Sequence, residues 1–292
     1  MILVKLMGGH SNQLFQYAIG RRLAIKHNTE LKLDLTWFDG PFSEGTTKRY
    51  YELDAYPIVA KVANRADLAR VNVPPHTWKR RAYQKVAGSL QLFKEPELGD
   101  FYPEAARAPD NSYLVGFWQN EVYFKDIRRI LLDEFEPIKP LSAKNNSYLR
   151  QIQNCESVSL HVRREDYVTS RVHNQFHGLM DVKYYKTAIS ELGKRLEGKP
   201  FKIFVFSKEI DWCKKNLNFG QPLVFVEGNA NGADDMRLMK HCKHNILANS
   251  SFSWWGAWLN PNPDKIVIAP KKWFNSKDMN IKDRLPQPWI KL

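Results

Sequence analysis

"MILVKLMGGHSNQLFQYAIGRRLAIKHNTELKLDL", residues 1–35, changes its hydrophobic period twice, and those changes decide the fold. "MILVKLM" is an apolar run of strand length, "GGHSNQ" a glycine turn, and "LFQYAIGRRLAIKHN" an amphipathic stretch near helical spacing. "ELKLDL" then reads as a second strand. Strand, turn, helix and strand in that order open a Rossmann-like parallel sheet.

Residues 40–110 are rich in Pro, Gly and aromatics and read as irregular, with short helices. "SYLVGFWQ" (112–119) returns as a strand, followed by a helix through "DIRRILLDEF". Pro137 and Pro140, ahead of the polar "SAKNNS", mark a boundary that divides the chain into 1–140 and 141–292. Beyond it, strands are expected at 157–162, 201–206, 222–226, 245–249 and 265–269, alternating with helical patterns at 181–196, 209–217, 234–243 and 251–259. Such alternation gives a parallel sheet covered on both faces. The fold class is therefore α/β, with two Rossmann-like domains. Ligands of such sheets sit at the carboxyl ends of the strands, and "HVRREDY" (161–167) lies at one of them.

The 292 residues are 43% hydrophobic and 26% charged, as in a globular protein with ordinary cores. No run of 18 apolar residues suggests a membrane span. The start lacks the pattern of a signal peptide, so the expected location is the cytosol. Cys155, Cys213 and Cys242 show no metal-ligand spacing and read as reduced thiols. The net charge of +13 points to phosphorylated substrates, anionic membrane or nucleic acid. Its densest cluster, "HTWKRRAYQK" (76–85), fits a solvated helix face or a lipid-phosphate contact. No helix-turn-helix, zinc-finger or RNP pattern supports nucleic acid.

Arg163 offers a planar fork of donors that matches a diphosphate, with Asp166 placed to hold its other nitrogens. Spacing alone leaves a structural ion-pair turn equally open. "NSSFSWWGAWL" (249–259) puts three serines where a strand yields to a helix, a second anion-friendly strand end. In "GGHSNQ", the amides of Asn12 and Gln13, with Gln16 beyond, would point at a ligand and suit sugar hydroxyls; the dinucleotide fingerprint is absent. No P-loop, G-x-S-x-G or H-E-x-x-H pattern is present. No Asp-x-Asp and no histidine ligand spacing argue for a metal, so none is expected. A departing diphosphate would then be neutralised by arginine and helix termini.

"GGHSNQLFQYAIGRRLA", "GFWQNEVYFKDI", "HVRREDYV", "NQFHGLMDVKYY", "FVFSKEIDWCKKNL" and "DDMRLMKHCKHNILANSSFSWWGAWLN" together resemble glycosyltransferase family 11, whose best-known members are α-1,2-fucosyltransferases. The resemblance implies a GT-B fold, two Rossmann-like domains with parallel sheets facing a central cleft. It also implies metal-independent, inverting transfer from GDP-L-fucose, a donor substrate rather than a cofactor, to the 2-hydroxyl of a galactose-type acceptor. Another GDP-deoxysugar such as GDP-colitose is the alternative, and a non-catalytic glycan- or nucleotide-binding module is a third reading. By the family pattern Arg163 would bind the diphosphate, with Arg164 in the same block, His161 near the guanosine and Asp235 reading guanine N–H groups. Gly9, Asn12 and Gln13 would reach the donor from the glycine loop, and Asn249, Ser250, Ser251 and Phe252 from the serine block. Candidates for handling the acceptor proton are His177, Asp166 and no protein base at all. The departures are His10 and Ser11 for Leu-Gly, Glu165 for Gly, and Met180 for Cys. Such an enzyme would serve bacterial surface-glycan assembly, O-antigen or capsule, on an oligosaccharide or lipid-linked acceptor, with peripheral contact to anionic membrane.

Overall fold

The computed structural model describes residues 1–41, 48–71, 78–96, 101–164, 180–229, 231–274 and 284–292. They fall into two compact units. The described residues of Met1–Glu136, with Arg284, form the first; those of Pro137–Met279, with Leu285–Leu292, form the second.

The first unit runs β1 (Ile2–Lys5), α1 (His10–His27), β2 (Leu31–Asp34), β3 (Lys61–Val62), α2 (Arg65–Ala69), α3 (Trp78–Ala87), β4 (Gln91–Lys94), α4 (Pro103–Ala106), β5 (Ser112–Val115) and α5 (Arg128–Glu134). Its sheet has the order β3-β2-β1-β5-β4, and all pairings are parallel. Helix α1 begins at His10, four residues before the expected start, so most of "GGHSNQ" is helical and only Gly8–Gly9 turns. Gly8 makes that turn alone, at φ 76°, where a side chain is strained. The helix is not amphipathic over its first half: Gln13 through Gly20 are all buried, because it crosses the middle of the sheet. It ends at Asn28 in the left-handed conformation, with Lys26 and His27 complementing the last carbonyls.

Two strands, β3 and β4, lie in the stretch expected to be irregular. They are short, sit at the two edges of the sheet and expose most of their side chains, so they carry no alternation to read. The strand expected over 112–119 stops at Val115. Beyond it Trp118 adopts φ 54°, which turns the chain across the end of the sheet.

The second unit runs α6 (Ala143–Gln153), β6 (Ser157–His161), α7 (Val182–Arg195), β7 (Lys202–Phe206), α8 (Ile210–Asn216), β8 (Leu223–Phe225), α9 (Gly232–His241), β9 (His244–Ile246), α10 (Ser251–Trp258), β10 (Val267–Ala269) and β11 (Ile290–Lys291). Its order is β11-β10-β9-β6-β7-β8, again all parallel. The two-residue edge strand β11 was not foreseen. Ile203 and Val205 pack with Tyr185, Ala188 and Leu192 of α7 on one face, while Phe204 and Phe206 pack with Ile152 of α6 and Leu238 of α9 on the other. Both faces of β7 are apolar for that reason. Two parallel sheets in two compact units bear out the expected α/β class with two Rossmann-like domains.

Candidate functional site

The order of the second sheet reverses at β6. The chain steps outward to β7 and β8, then returns to place β9 on β6's other side. Side chains beyond the carboxyl ends of β6 and β9 therefore meet at a topological switch point, where open parallel sheets bind ligands. Arg163 follows β6, and Ser250 follows β9 as N-cap of α10. The Arg163 Nη1 donates to Ser250 Oγ at 3.3 Å, and that hydroxyl also accepts from the Phe252 N–H at 3.3 Å. Residues far apart in sequence thus join into one group of donors, a guanidinium fork and a helix N-terminus whose first residue is Ser251, of a kind suited to an anion.

His161, the last residue of β6, is buried, its ring 5.5 Å from that of Phe252. Burial, with the neighbouring Arg163 charge adding, lowers its pKa to about 3, so the imidazole is neutral. Its Nδ1 has no hydrogen-bond partner among the described residues. Arg164 turns elsewhere, its guanidinium stacking 3.8 Å from the ring centre of Trp212 in α8. Asn249 is buried and directs its amide inward to the Trp273 carbonyl at 3.2 Å. That bond braces the turn between β9 and α10.

Asp235 lies in the first turn of α9, which starts beyond the carboxyl end of edge strand β8. Its Oδ1 accepts from Asn229 Nδ2 at 2.6 Å, and Asn229 Oδ1 accepts from Asn145 Nδ2 of α6 at 2.7 Å. Burial, with Asp234 adding, pushes the Asp235 pKa up to about 6. The amino edge of the same sheet is closed instead. There Glu156 is held by Lys199, Lys243 and His244, and Asn260 ties Cys242 to Asn245.

The first unit presents a second polar cluster at its own switch point, between β1 and β5. Arg284 donates to Gln119 Oε1, and Gln119 Nε2 donates to Asn12 Oδ1 at 2.7 Å. Glu95 accepts from the Phe117 and Trp118 N–H groups at 2.5 and 3.0 Å, and burial raises its pKa. Burial likewise lowers Arg284 to about 10, against the opposing pull of Glu95. Gln13 is corrected: its amide bonds the Gly8 and Tyr50 carbonyls and accepts from Glu52 N, all within the unit. Gln16 is likewise taken up by Met7 and Gly116. A helix starting at His10 turns both inward. Gly9 is the N-cap residue of α1 and lies against Arg49. Of the departures, His10 stacks on Tyr56 with its Nε2 2.7 Å from the hydroxyl, and burial lowers its pKa to about 4. Ser11 follows it in the first turn of α1. Met180 packs on the second unit's core. Glu165, Asp166 and His177 lie outside the described residues.

Sequence reasoning missed Glu95, Gln119, Trp212, Asn145, Asn229 and Arg284. Gln119 stands inside a quoted block, but nothing in the sequence ties it to Arg284, 165 residues on.

Residues 97–292 match the family model described as Glycosyl transferase family 11. The chain belongs to that family. The family's serine block supplies Ser250, and its arginine block supplies Arg163; the bond between them joins the two. An alpha-1,2-colitosyltransferase of Escherichia coli is 33% identical, covering 100% of this chain and 99% of that one. The O-antigen biosynthesis glycosyltransferase WbnK of Escherichia coli is 32% identical over 98% and 99%. The galactoside alpha-(1,2)-fucosyltransferase 2 of Bos taurus is 28% identical over 56% of this chain and 49% of its own. As a member of family 11 the protein is a glycosyltransferase. Among the described residues no group of three or more His, Cys, Asp or Glu could hold a metal ion, and no helix is long and apolar enough to cross a membrane.

Proposed function

We propose that this family 11 glycosyltransferase moves a deoxysugar from a GDP-activated donor to a hydroxyl of a galactose-type acceptor in bacterial surface-glycan assembly. GDP-L-fucose is the leading donor. The observation that carries the reading is the Arg163–Ser250 bond at the switch point, which sets a fixed positive fork beside a helix N-terminus. Both act most strongly on the charge that develops on a departing diphosphate. In the transfer the sugar C1–O bond to the β-phosphate breaks with its electron pair leaving on GDP. The acceptor oxygen bonds C1 from the opposite face, and its proton passes to a base or to a donor phosphate oxygen. His177 is the side chain assigned to orient the acceptor or take that proton, and Asp166 the one assigned to hold Arg163.

GDP-colitose is the second reading, favoured by the 33% identity to a colitosyltransferase. Colitose is L-fucose without its 3-hydroxyl. A site that hydrogen-bonds that hydroxyl rejects the analogue lacking it by roughly four orders of magnitude, whereas a site that ignores it accepts both. Mass-spectrometric transfer from a panel of GDP-sugars to terminal β-galactosides decides between them, and no transfer from any GDP-sugar overturns the reading. No metal takes part in the proposal, so activity is expected to persist in excess EDTA. Activity that returns to a chelated enzyme only with magnesium or manganese contradicts this.

A further inference from the structure

The amide chain ending on Asp235 has a polarity that elementary chemistry fixes. An ionised carboxylate only accepts hydrogen bonds, so Asn229 must present its NH2 to Asp235 Oδ1. The carbonyl of Asn229 then faces away, and Asn145 must present its own NH2 to it. Amide orientation, ordinarily an ambiguous assignment, is set here by the carboxylate at the end. Both dipoles point their positive ends toward Asp235. Among the described residues, Asp235 Oδ2 makes no hydrogen bond.

Asn145 is 1% exposed, and its Oδ1 has no hydrogen-bond partner among the described residues. An apolar side chain in that place would avoid leaving a buried carbonyl unsatisfied. The α6 helix does not need the side chain either, because its cap is Ser142 Oγ accepting from the Asn145 backbone N–H at 3.1 Å. What the Asn145 side chain does is hold Asn229. The carboxylate stands by edge strand β8, while Arg163 extends from β6, two strands away. At about 4.8 Å per strand the separation is on the order of 10 Å, close to the span from a nucleobase edge to a β-phosphate.

We propose that Asn145 and Asn229 are positioning residues that orient the Asp235 carboxylate so that Oδ2 receives the N–H edge of the donor's guanine, giving the enzyme its base preference. The inference rests on the GDP-sugar reading above. The two amides fix the plane of the carboxylate and favour its charged form, while the diphosphate contact is left to Arg163. Guanine offers N1–H and N2–H donors to such a group. Hypoxanthine keeps only N1–H, and adenine turns an acceptor nitrogen toward it.

The test is calorimetric binding of GDP, IDP and ADP to the full-length wild type and to Asn229→Ala, Asn229→Ser and Asn145→Ala, with melting temperatures alongside. Asn229 is only half-buried, and the melting temperatures show whether its replacement leaves the fold intact. Wild type is expected to prefer GDP over IDP and, more strongly, over ADP. In Asn229→Ala GDP should bind about tenfold more weakly with ADP unchanged, so the preference narrows. The serine hydroxyl can accept from Asn145 and donate to Asp235, and should recover part of it. Asn229 and Asn145 variants that keep the wild-type preference overturn the relay. So does an equal loss for all three diphosphates with a lowered melting temperature, which marks a merely structural role. Wild type that binds no diphosphate, or binds GDP and ADP alike, overturns instead the nucleotide reading on which the relay rests.

Discussion

Two residues carry opposite electrostatic problems at one sheet edge. The value of Arg163 lies in a planar fork of donors that lysine lacks. Arg163→Lys is therefore expected to lower turnover about 100-fold, by comparison with removal of one oxyanion donor, with a smaller effect on ground-state donor binding. Single-turnover transfer measures this, and a lysine variant near wild-type rate contradicts it. Asp235 has its pKa raised to about 6 by burial, with Asp234 adding to it and the Asn229 bond opposing. A carboxyl raised in the folded state stabilises the fold below its ordinary value, and that contribution is lost as pH rises through about 6. On the proposed guanine contact ligand binding runs the other way, because two N–H donors are best met by the ionised carboxylate. GDP affinity is expected to rise about tenfold from pH 5 to pH 7, following the ionised fraction of such a group. His161, already neutral, contributes nothing in that window. Calorimetry on wild type and Asp235→Asn checks this: the variant should bind weakly with a flat profile, and an equal slope in both sinks the assignment. At this scale the sequence placed Arg163, Ser250 and Asp235 at a strand end and at helix starts, because those are local features. It failed on Gln13 and Gln16, because which way an amide turns depends on packing.

At the scale of elements, helix α1 and the first sheet touch at Gly20. A methyl group there would lie 2.4 Å from Val4 Cγ2 and 2.8 Å from Leu31 Cδ1. Val4 is β-branched, lies in the central strand and is fully buried, so it has little room to yield. Gly20→Ala is expected to cost about 1–3 kcal/mol and to lower the melting temperature by several degrees, despite alanine's better helix propensity. Differential scanning calorimetry reads it, and a variant that melts with wild type removes this account of the helix–sheet contact. The elements themselves were readable where both faces are buried, as in β1, β6 and β7, since long apolar runs leave no alternative. The edge strands β3, β4 and β11 were not, because strands of two to four mostly exposed residues carry no period and take their conformation from the neighbouring strand.

For the whole molecule, charge is the property that needs a partner. The +13 excess is spread along the chain, and on α3 the described residues Arg81 and Lys85 are exposed. Each basic residue near an anionic surface contributes about 1 kcal/mol, within a Debye length. Peripheral attachment at low salt is therefore expected. Flotation with neutral and anionic vesicles tests it: preferential recovery with anionic vesicles, lost at high salt, is the expected result, and equal recovery counts against it. The sequence by itself determined two parallel α/β sheets, and the positions of the arginine and serine blocks just beyond the carboxyl ends of two of their strands. Those follow from periods and end signals that act over a few residues. Only the tertiary structure decided that Arg163 meets Ser250, that Gln13 and Gln16 bind their own backbone, and that Asn145 and Asn229 stand behind Asp235. These pairings join residues up to 100 positions apart, and they form because parallel crossovers bring strand ends together that no local pattern connects.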